Sequence, residues 1–250
     1  MRENNKMQTK EQLSRMIDHT NLRMDATHAD IERLCQEALD YHFGAVCVRE
    51  FKVPVAYQIL QGKGIHIASV VGFPTQKTKT VEEMIANLSQ YSAYINCTET
   101  EYAIRKGADE IDMVINLAAL KRWDYNAVEK DIKEVVKTAG SAEKPAIVKV
   151  IIETGYLTEE EKNEACRISE NAGAHYVKTS TGYGTSGATL SDIELMGKIT
   201  PEFMGIKASG GINTLDFMQQ LYDASQKYKP HQFRAGASKL VEEFRASKQP

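Results

Sequence analysis

Short apolar, β-branched runs alternate along the chain with longer stretches whose apolar positions recur every three to four residues. The short runs fall at 16–20, 45–49, 66–72, 110–116, 146–153, 175–180, 204–209 and 232–236. Most are rich in Val and Ile and poor in charge, the pattern of parallel strands covered on both faces. The stretches 25–41, 53–61, 80–106, 124–138, 158–172, 189–198, 214–224 and 238–246 carry the helical period instead. Leu157-Thr158-Glu159-Glu160-Glu161 predicts a threonine N-cap with glutamate at the third helical position, a capping box. Asn213-Thr214-Leu215-Asp216 predicts a similar start. Gly107, Gly140 and Gly173 each fall where a helix closes before the next strand.

Eight β-then-α units in 250 residues predict an α/β protein, a (β/α)8 TIM barrel, with one domain spanning 1–250. An open, doubly wound sheet would also alternate, but no run is followed by a GxGxxG or GxxxxGK[ST] turn. Residues up to about Lys10 are expected to fray. The longest connection, 75–106, opens on polar Thr75-Gln76-Lys77-Thr78-Lys79. A loop, a helix, a break near 94–98 and a second helix ending at Gly107 are expected there.

Charge narrows the functional classes. Thirty-one Lys and Arg against 34 Asp and Glu leave a net charge of −3, which argues against nucleic acid or an anionic membrane as the main partner. No apolar run reaches the ~18–20 residues of a transmembrane helix. The start, Met1-Arg2-Glu3-Asn4-Asn5-Lys6, lacks the apolar core of a signal peptide, so a cytoplasmic location is expected. Cys35, Cys47, Cys97 and Cys166 are scattered, with no CxxC pair and no His at ligand spacing, so neither a metal nor a disulfide is expected. Of the six His, only His19 sits in a run where function is plausible.

Reactive groups of a β/α barrel project from the C-terminal ends of its strands. Charged residues inside apolar strand runs are therefore the ones to question. Asp112, Lys149, Lys178 and Lys207 recur at similar depths in the fourth to seventh runs. A single such lysine would be an ordinary structural ion pair. Four charges at equivalent depth are costly to bury, at several kcal/mol each unless paired. Two lysines on adjacent strands suggest a specific chemistry. A free lysine of pKa ~10.4 is about 0.04% neutral at pH 7. A like charge and a poorly solvated pocket both lower that pKa, and a fall to ~7–8 frees roughly 10–50% of the amine to attack a carbonyl. The resulting imine is an electron sink for carbon–carbon cleavage and needs no cofactor; Asp112 could pair with the second lysine and move protons.

Three runs that follow later strands are rich in small residues: 178–187, Ala208-Ser209-Gly210-Gly211-Ile212 and Arg234-Ala235-Gly236-Ala237-Ser238. Glycine lets backbone N–H groups approach an anion, and a helix starting at Ser238 would point its positive end there. Beside the lysines, these loops suggest a phosphorylated substrate.

At these residues the chain resembles the deoxyribose-phosphate aldolase family. The similarity runs in order through Ile17-Asp18-His19-Thr20, Val46-Cys47-Val48, Val71-Gly72-Phe73-Pro74 and Gly107–Asn116. It continues through Lys149-Val150-Ile151-Ile152-Glu153-Thr154, Val177-Lys178-Thr179-Ser180-Thr181-Gly182, Ile206-Lys207-Ala208-Ser209-Gly210-Gly211 and Gly236-Ala237-Ser238. The resemblance implies a TIM barrel that cleaves 2-deoxy-D-ribose 5-phosphate reversibly to glyceraldehyde 3-phosphate and acetaldehyde. It implies Lys178 as the Schiff-base lysine, Lys207 as the lysine that lowers its pKa and Asp112 as the proton relay. Phosphate contacts map to Gly182, Gly210, Gly211, Gly236 and Ser238, and Asp18 and Cys47 come to the edge of the pocket; Lys149 is a further pocket candidate from its place in the fifth run. A homo-oligomer, dimer or tetramer, is compatible with it.

The departures concern substrate recognition. Asn213 stands where many members have Arg, and Lys239 where many have a second Ser. Thr75-Gln76-Lys77 replaces a Leu-Gly-type turn, and the following stretch is lengthened. The sequence closes on Gln249-Pro250 without the terminal tyrosine of some members, which leaves the route of proton transfer open. Lys239, placed in the first turn of the last helix, would supply a phosphate contact that partly offsets Asn213. Two rival readings remain open: an imine-forming aldolase for another aldehyde or a less phosphorylated sugar, and a non-catalytic barrel that binds a sugar phosphate.

Overall fold

The computed structural model describes residues 7–246. Its strands are β1 Ile17–Asn21, β2 Ala45–Arg49, β3 His66–Val71, β4 Glu110–Val114, β5 Ile147–Ile151, β6 Tyr176–Lys178, β7 Gly205–Ser209 and β8 Phe233–Ala237. All eight pair in parallel, in chain order, and β8 closes onto β1. The expected (β/α)8 barrel is the observed one.

Side-chain alternation sorts each strand between two environments. Val46 and Val48, Ile111 and Met113, and Val148 and Val150 belong to the large core between barrel and helices. Their neighbours Cys47, Val114 and Ile151 form a smaller apolar cluster with Leu22, Ala68, Val70 and Phe73. Asp112 and Lys149 share the face of Val114 and Ile151, two residues away on their own strands. The register brings Asp112 beside Lys149, Lys178 beside Lys207, and Lys207 beside Arg234. Charges at alternate strand positions thus converge inside the barrel, while the Val and Ile between them hold the helices.

The surrounding helices are α1 Lys10–Ser14, α2 His28–Asp40, α3 Val53–Leu60, α4 Val81–Leu88, α5 Ala93–Arg105, α6 Leu117–Lys121, α7 Tyr125–Gly140, α8 Glu159–Asn171, α9 Leu190–Ile199, α10 Leu215–Gln226 and α11 Val241–Ala246. The capping box at Thr158 and Glu161 is formed, and Thr214 caps α10 through the Phe217 N–H. Gly107 and Gly173 follow their helices with φ of 106° and 81°, conformations that disfavour side chains. Gly140 instead lies within α7 as its last residue.

Four expectations need correction. Fraying does not extend to Lys10: the Gln8 N–H donates to Gln219 Oε1 (2.9 Å), Thr9 forms a capping box with Gln12, and Lys10 Nζ donates to the Glu243 carbonyl (2.7 Å). Residues 1–6 lie outside the described residues. The break in the 75–106 connection falls between Leu88 and Ala93, not at 94–98, because the Ser92 hydroxyl accepts from the Ile95 N–H and starts α5 there. The short helix α6, capped by Asn116, was not anticipated. The last helix begins at Val241 rather than Ser238, since residues 238–240 form a turn.

Candidate active site

Seven charged side chains from six strands meet in the barrel: Asp18, Glu110, Asp112, Lys149, Lys178, Lys207 and Arg234. All are buried except Arg234, whose side chain is 13% exposed. Asp112 is the centre. Its Oδ2 accepts from Lys178 Nζ (2.7 Å) and Lys207 Nζ (2.6 Å), and its Oδ1 from Lys149 Nζ (2.9 Å). Lys207 also pairs with Asp18, and Lys149 with Glu110. Arg234 closes the network from β8, donating from Nε to Asp18 Oδ1 (2.7 Å) and from its guanidinium to Glu110 Oε1 (3.2 Å).

Burial opposes the charged form of every one of these groups. At Asp112 three ammonium groups outweigh it and hold the carboxyl well below the usual carboxylate range. At Lys207 burial is overcome by Asp112 and Asp18, and its pKa is raised. Lys178 goes the other way: burial and the neighbouring Lys207 charge prevail over Asp112, and its pKa is lowered. Of two lysines on one carboxylate oxygen, Lys178 is the one disposed to give up its proton.

Lys178 also faces open space. It lies against a cavity of about 680 Å³, the only one of the seven charged groups to line it. Gly182, Gly210, Gly211, Gly236 and Ser238 line the same cavity, so the glycine-rich runs converge beside the Lys178 amine. Gly182 and Gly210 have φ of 79° and 85°, a backbone conformation costly for other residues, and a Cβ on Gly182 would lie 4.0 Å from the Gly210 Cα. A carbonyl compound with an anionic group at its far end suits a cavity with an amine on its floor and glycine turns on its wall. Among the described residues no cluster of His, Cys, Asp or Glu is arranged to hold a metal ion, and no helix is long and apolar enough to cross a membrane.

The structure also separates residues that sequence had grouped. Asp18 and Lys149 are fully buried beneath Lys178 and do not line the cavity, and Cys47 sits in the small apolar cluster with its thiol pushed up by burial. Lys239 is exposed in the turn before α11 and lies outside the cavity lining, because that helix starts later than expected. Asn213 does line it, as do Thr75, Gln76 and Lys77. The 75–106 connection therefore contributes its opening loop to the site.

Four residues around the site were missed. Glu110 and Arg234 belong to the charge network; Glu110, two residues before Asp112, shares its face, a period-two signal present in the sequence. Glu153 follows β5 in a left-handed conformation (φ 58°), and its Oε2 accepts from the Thr181 N–H (3.1 Å). Its Oε1 is buried without a hydrogen-bond partner, and burial raises its pKa. Tyr183 completes the wall: its hydroxyl donates to the Leu22 carbonyl (3.0 Å), and its own carbonyl accepts from the Thr78 N–H (2.8 Å).

Barrel, cavity and paired lysines define a lysine-dependent β/α-barrel enzyme of the aldolase kind. Residues 13–244 match the profile of the DeoC/LacD family aldolases, and the chain belongs to that family. It is 47% identical over 232 residues to a deoxyribose-phosphate aldolase of Clostridium perfringens (strain SM101 / Type A), covering 93% of this chain and 94% of that one. To the deoxyribose-phosphate aldolase of Thermococcus gammatolerans it is 49% identical over 206 residues, 82% of this chain and 85% of that one. Among solved structures it is similar to the tetrameric deoxyribose phosphate aldolase from Aeropyrum pernix, with a TM-score of 0.78 at 28% identity over 96% of this chain and 93% of that one.

Proposed function

We propose that the protein is a class I aldolase that reversibly cleaves 2-deoxy-D-ribose 5-phosphate to D-glyceraldehyde 3-phosphate and acetaldehyde. The observation that carries this reading is the Lys178 amine, lowered in pKa, facing the cavity while it shares Asp112 Oδ2 with Lys207. Neutral Lys178 adds to the aldehyde of the open-chain sugar, and loss of water gives the iminium. A base then takes the proton of the C3 hydroxyl; the C2–C3 bond breaks, C3 becomes the aldehyde of glyceraldehyde 3-phosphate, and the bonding pair moves into the iminium as an enamine. Protonation of the enamine carbon and hydrolysis return acetaldehyde and the free amine.

In this reading Asp112 and Lys207 move the protons, through a water. A carboxylate so strongly favoured as an anion passes a proton onward rather than keeping it. The loops at Gly182, Gly210, Gly211, Gly236 and Ser238 hold the phosphate. The tetrameric Aeropyrum relative supports a homo-oligomeric assembly. A second reading, a less phosphorylated substrate, draws support from uncharged Asn213 on the cavity wall and from Lys239 lying off it.

Incubation with 2-deoxyribose 5-phosphate, reduction with borohydride and peptide mapping by mass spectrometry test the assignment. The expected product is one reduced adduct on Lys178, absent from Lys178→Arg. An adduct on another lysine, or none despite measured sugar-phosphate binding, would overturn it.

A further inference from the structure

The interior network holds four cationic side chains and three carboxylates, and they are unequally shared. Lys207 contacts both Asp18 and Asp112. Lys149 contacts Glu110 and Asp112, with Asp18 at 3.9 Å. Arg234 contacts Asp18 through two nitrogens and Glu110 through a third. Lys178 has Asp112 alone. If Lys178 is neutral, Lys149, Lys207 and Arg234 balance Asp18, Glu110 and Asp112 one for one. If it is protonated, the interior holds one positive charge more than its carboxylates balance, and burying that excess is costly. The other groups facing Lys178 do not change this count: the Cys47 thiol on β2 is pushed up by burial, and Glu153 after β5 is held toward its neutral form. Arg234 is faced by Asp18 from β1, Glu110 from β4, Lys207 from β7 and the Tyr176 hydroxyl from β6, which is occupied donating to Gln232 Oε1 (2.7 Å).

We infer that Arg234 and Glu110, which do not line the cavity, are positioning residues that fix the charge count of the barrel interior so that Lys178 is the amine left neutral. The inference rests on the imine-forming reading of Lys178 and extends it to two residues with no route to the substrate. Arg234 acts by saturating Asp18 and Glu110. Without it those carboxylates would lean on the lysines, and the interior would become neutral only with Lys178 protonated. Loss of Glu110 has the opposite effect, since it leaves one more uncompensated cation beneath Asp112.

The test is the pH dependence of borohydride-trapped adduct at Lys178 with 2-deoxyribose 5-phosphate. Arg234→Met is expected to move the acidic limb up by about one pH unit, and Glu110→Gln to move it down by a similar amount. Arg234→Lys should keep the parental limb, and the double variant Arg234→Met/Glu110→Gln should return toward it. Trapping at high pH, where Lys178 is neutral in every variant, reports whether each has folded. If Arg234→Met does not fold, the near-isosteric Glu110→Gln decides alone. Unshifted limbs, or limbs that both move in one direction, overturn the inference while leaving the imine chemistry standing. A parental protein that gives no adduct at Lys178 defeats the aldolase reading itself, and this inference with it.

Discussion

Lys178 and Lys207 meet on one oxygen, Asp112 Oδ2, at 2.7 and 2.6 Å, from third positions of adjacent strands aligned in register. Their surroundings give them opposite tasks. Lys207 is anchored by a second carboxylate, Asp18, and keeps its proton; Lys178 has no second carboxylate and opens to the cavity. Two residues of one type are pushed in opposite directions, Lys207 toward a fixed cation and Lys178 toward a neutral amine, by the partners their strands supply.

Lys207→Leu tests this directly. Removing the ammonium takes away the positive charge that depresses Lys178 and leaves Asp112 free to favour Lys178 in its protonated form. Both effects raise the Lys178 pKa, so the acidic limb of imine formation should move to higher pH by about one unit or more, with trapped adduct recovered at alkaline pH. Asp18 keeps Arg234 and Asp112 keeps Lys149, so the protein should fold, though with a lower Tm. An unchanged limb with only a higher KM would make Lys207 a substrate contact instead.

Glu153 should affect stability rather than chemistry. Burial raises its pKa above the ordinary 4.5, so the folded state binds its proton more tightly than the unfolded state. Its contribution is then fully present below about pH 4.5 and is lost as pH rises through the raised folded-state value. Glu153→Gln keeps an acceptor for the Thr181 N–H but cannot ionise. The difference in Tm between parent and variant should therefore shift in the variant's favour from pH 4 to pH 8. A Tm difference that is flat across that range would show that Glu153 does not titrate on unfolding in this interval.

The barrel was legible because strand and helix periods are strong in this chain, and most strands lie where a Val- or Ile-rich run stands. The buried lysines were legible for a related reason: a charge inside such a run has few structural uses. Glu110 and Arg234 escaped because each lies near a strand start, where a charge reads as part of the preceding loop; only closure of the barrel brings β8 and β4 within reach of each other through Arg234. Glu153 escaped because its backbone turns left-handed, a conformation that composition does not signal for glutamate. The break before α5 was misplaced for want of weight on Ser92, which offers the N-cap that Tyr94 cannot. Lys239 was misjudged through helix register: three residues of turn before Val241 are enough to leave it off the cavity wall.

Lys77 rather than Lys239 is expected to meet the phosphate. It lines the cavity and makes no ion pair among the described residues, whereas Arg23 and Arg33 on the same wall are paired with Asp25 and Asp30. Its loop is fixed beside the glycine turn, since Thr78 donates its N–H to the Tyr183 carbonyl (2.8 Å) and shares a hydrogen bond with the Tyr156 hydroxyl (3.0 Å). Gly182 precedes Tyr183, so this hydrogen bond ties the loop that carries Lys77 to the turn that carries Gly182. The side chain is exposed, so a contact with phosphate there would be screened by solvent and worth about two- to fivefold in affinity. Lys77→Gln should raise KM for 2-deoxyribose 5-phosphate by that factor, leave kcat and the unphosphorylated sugar nearly unchanged, and lose its effect at high salt. Lys239→Ser should leave all of these at the parental values. The reverse result, a phosphate-specific rise in KM for Lys239→Ser and none for Lys77→Gln, would return the phosphate contact to the turn before α11.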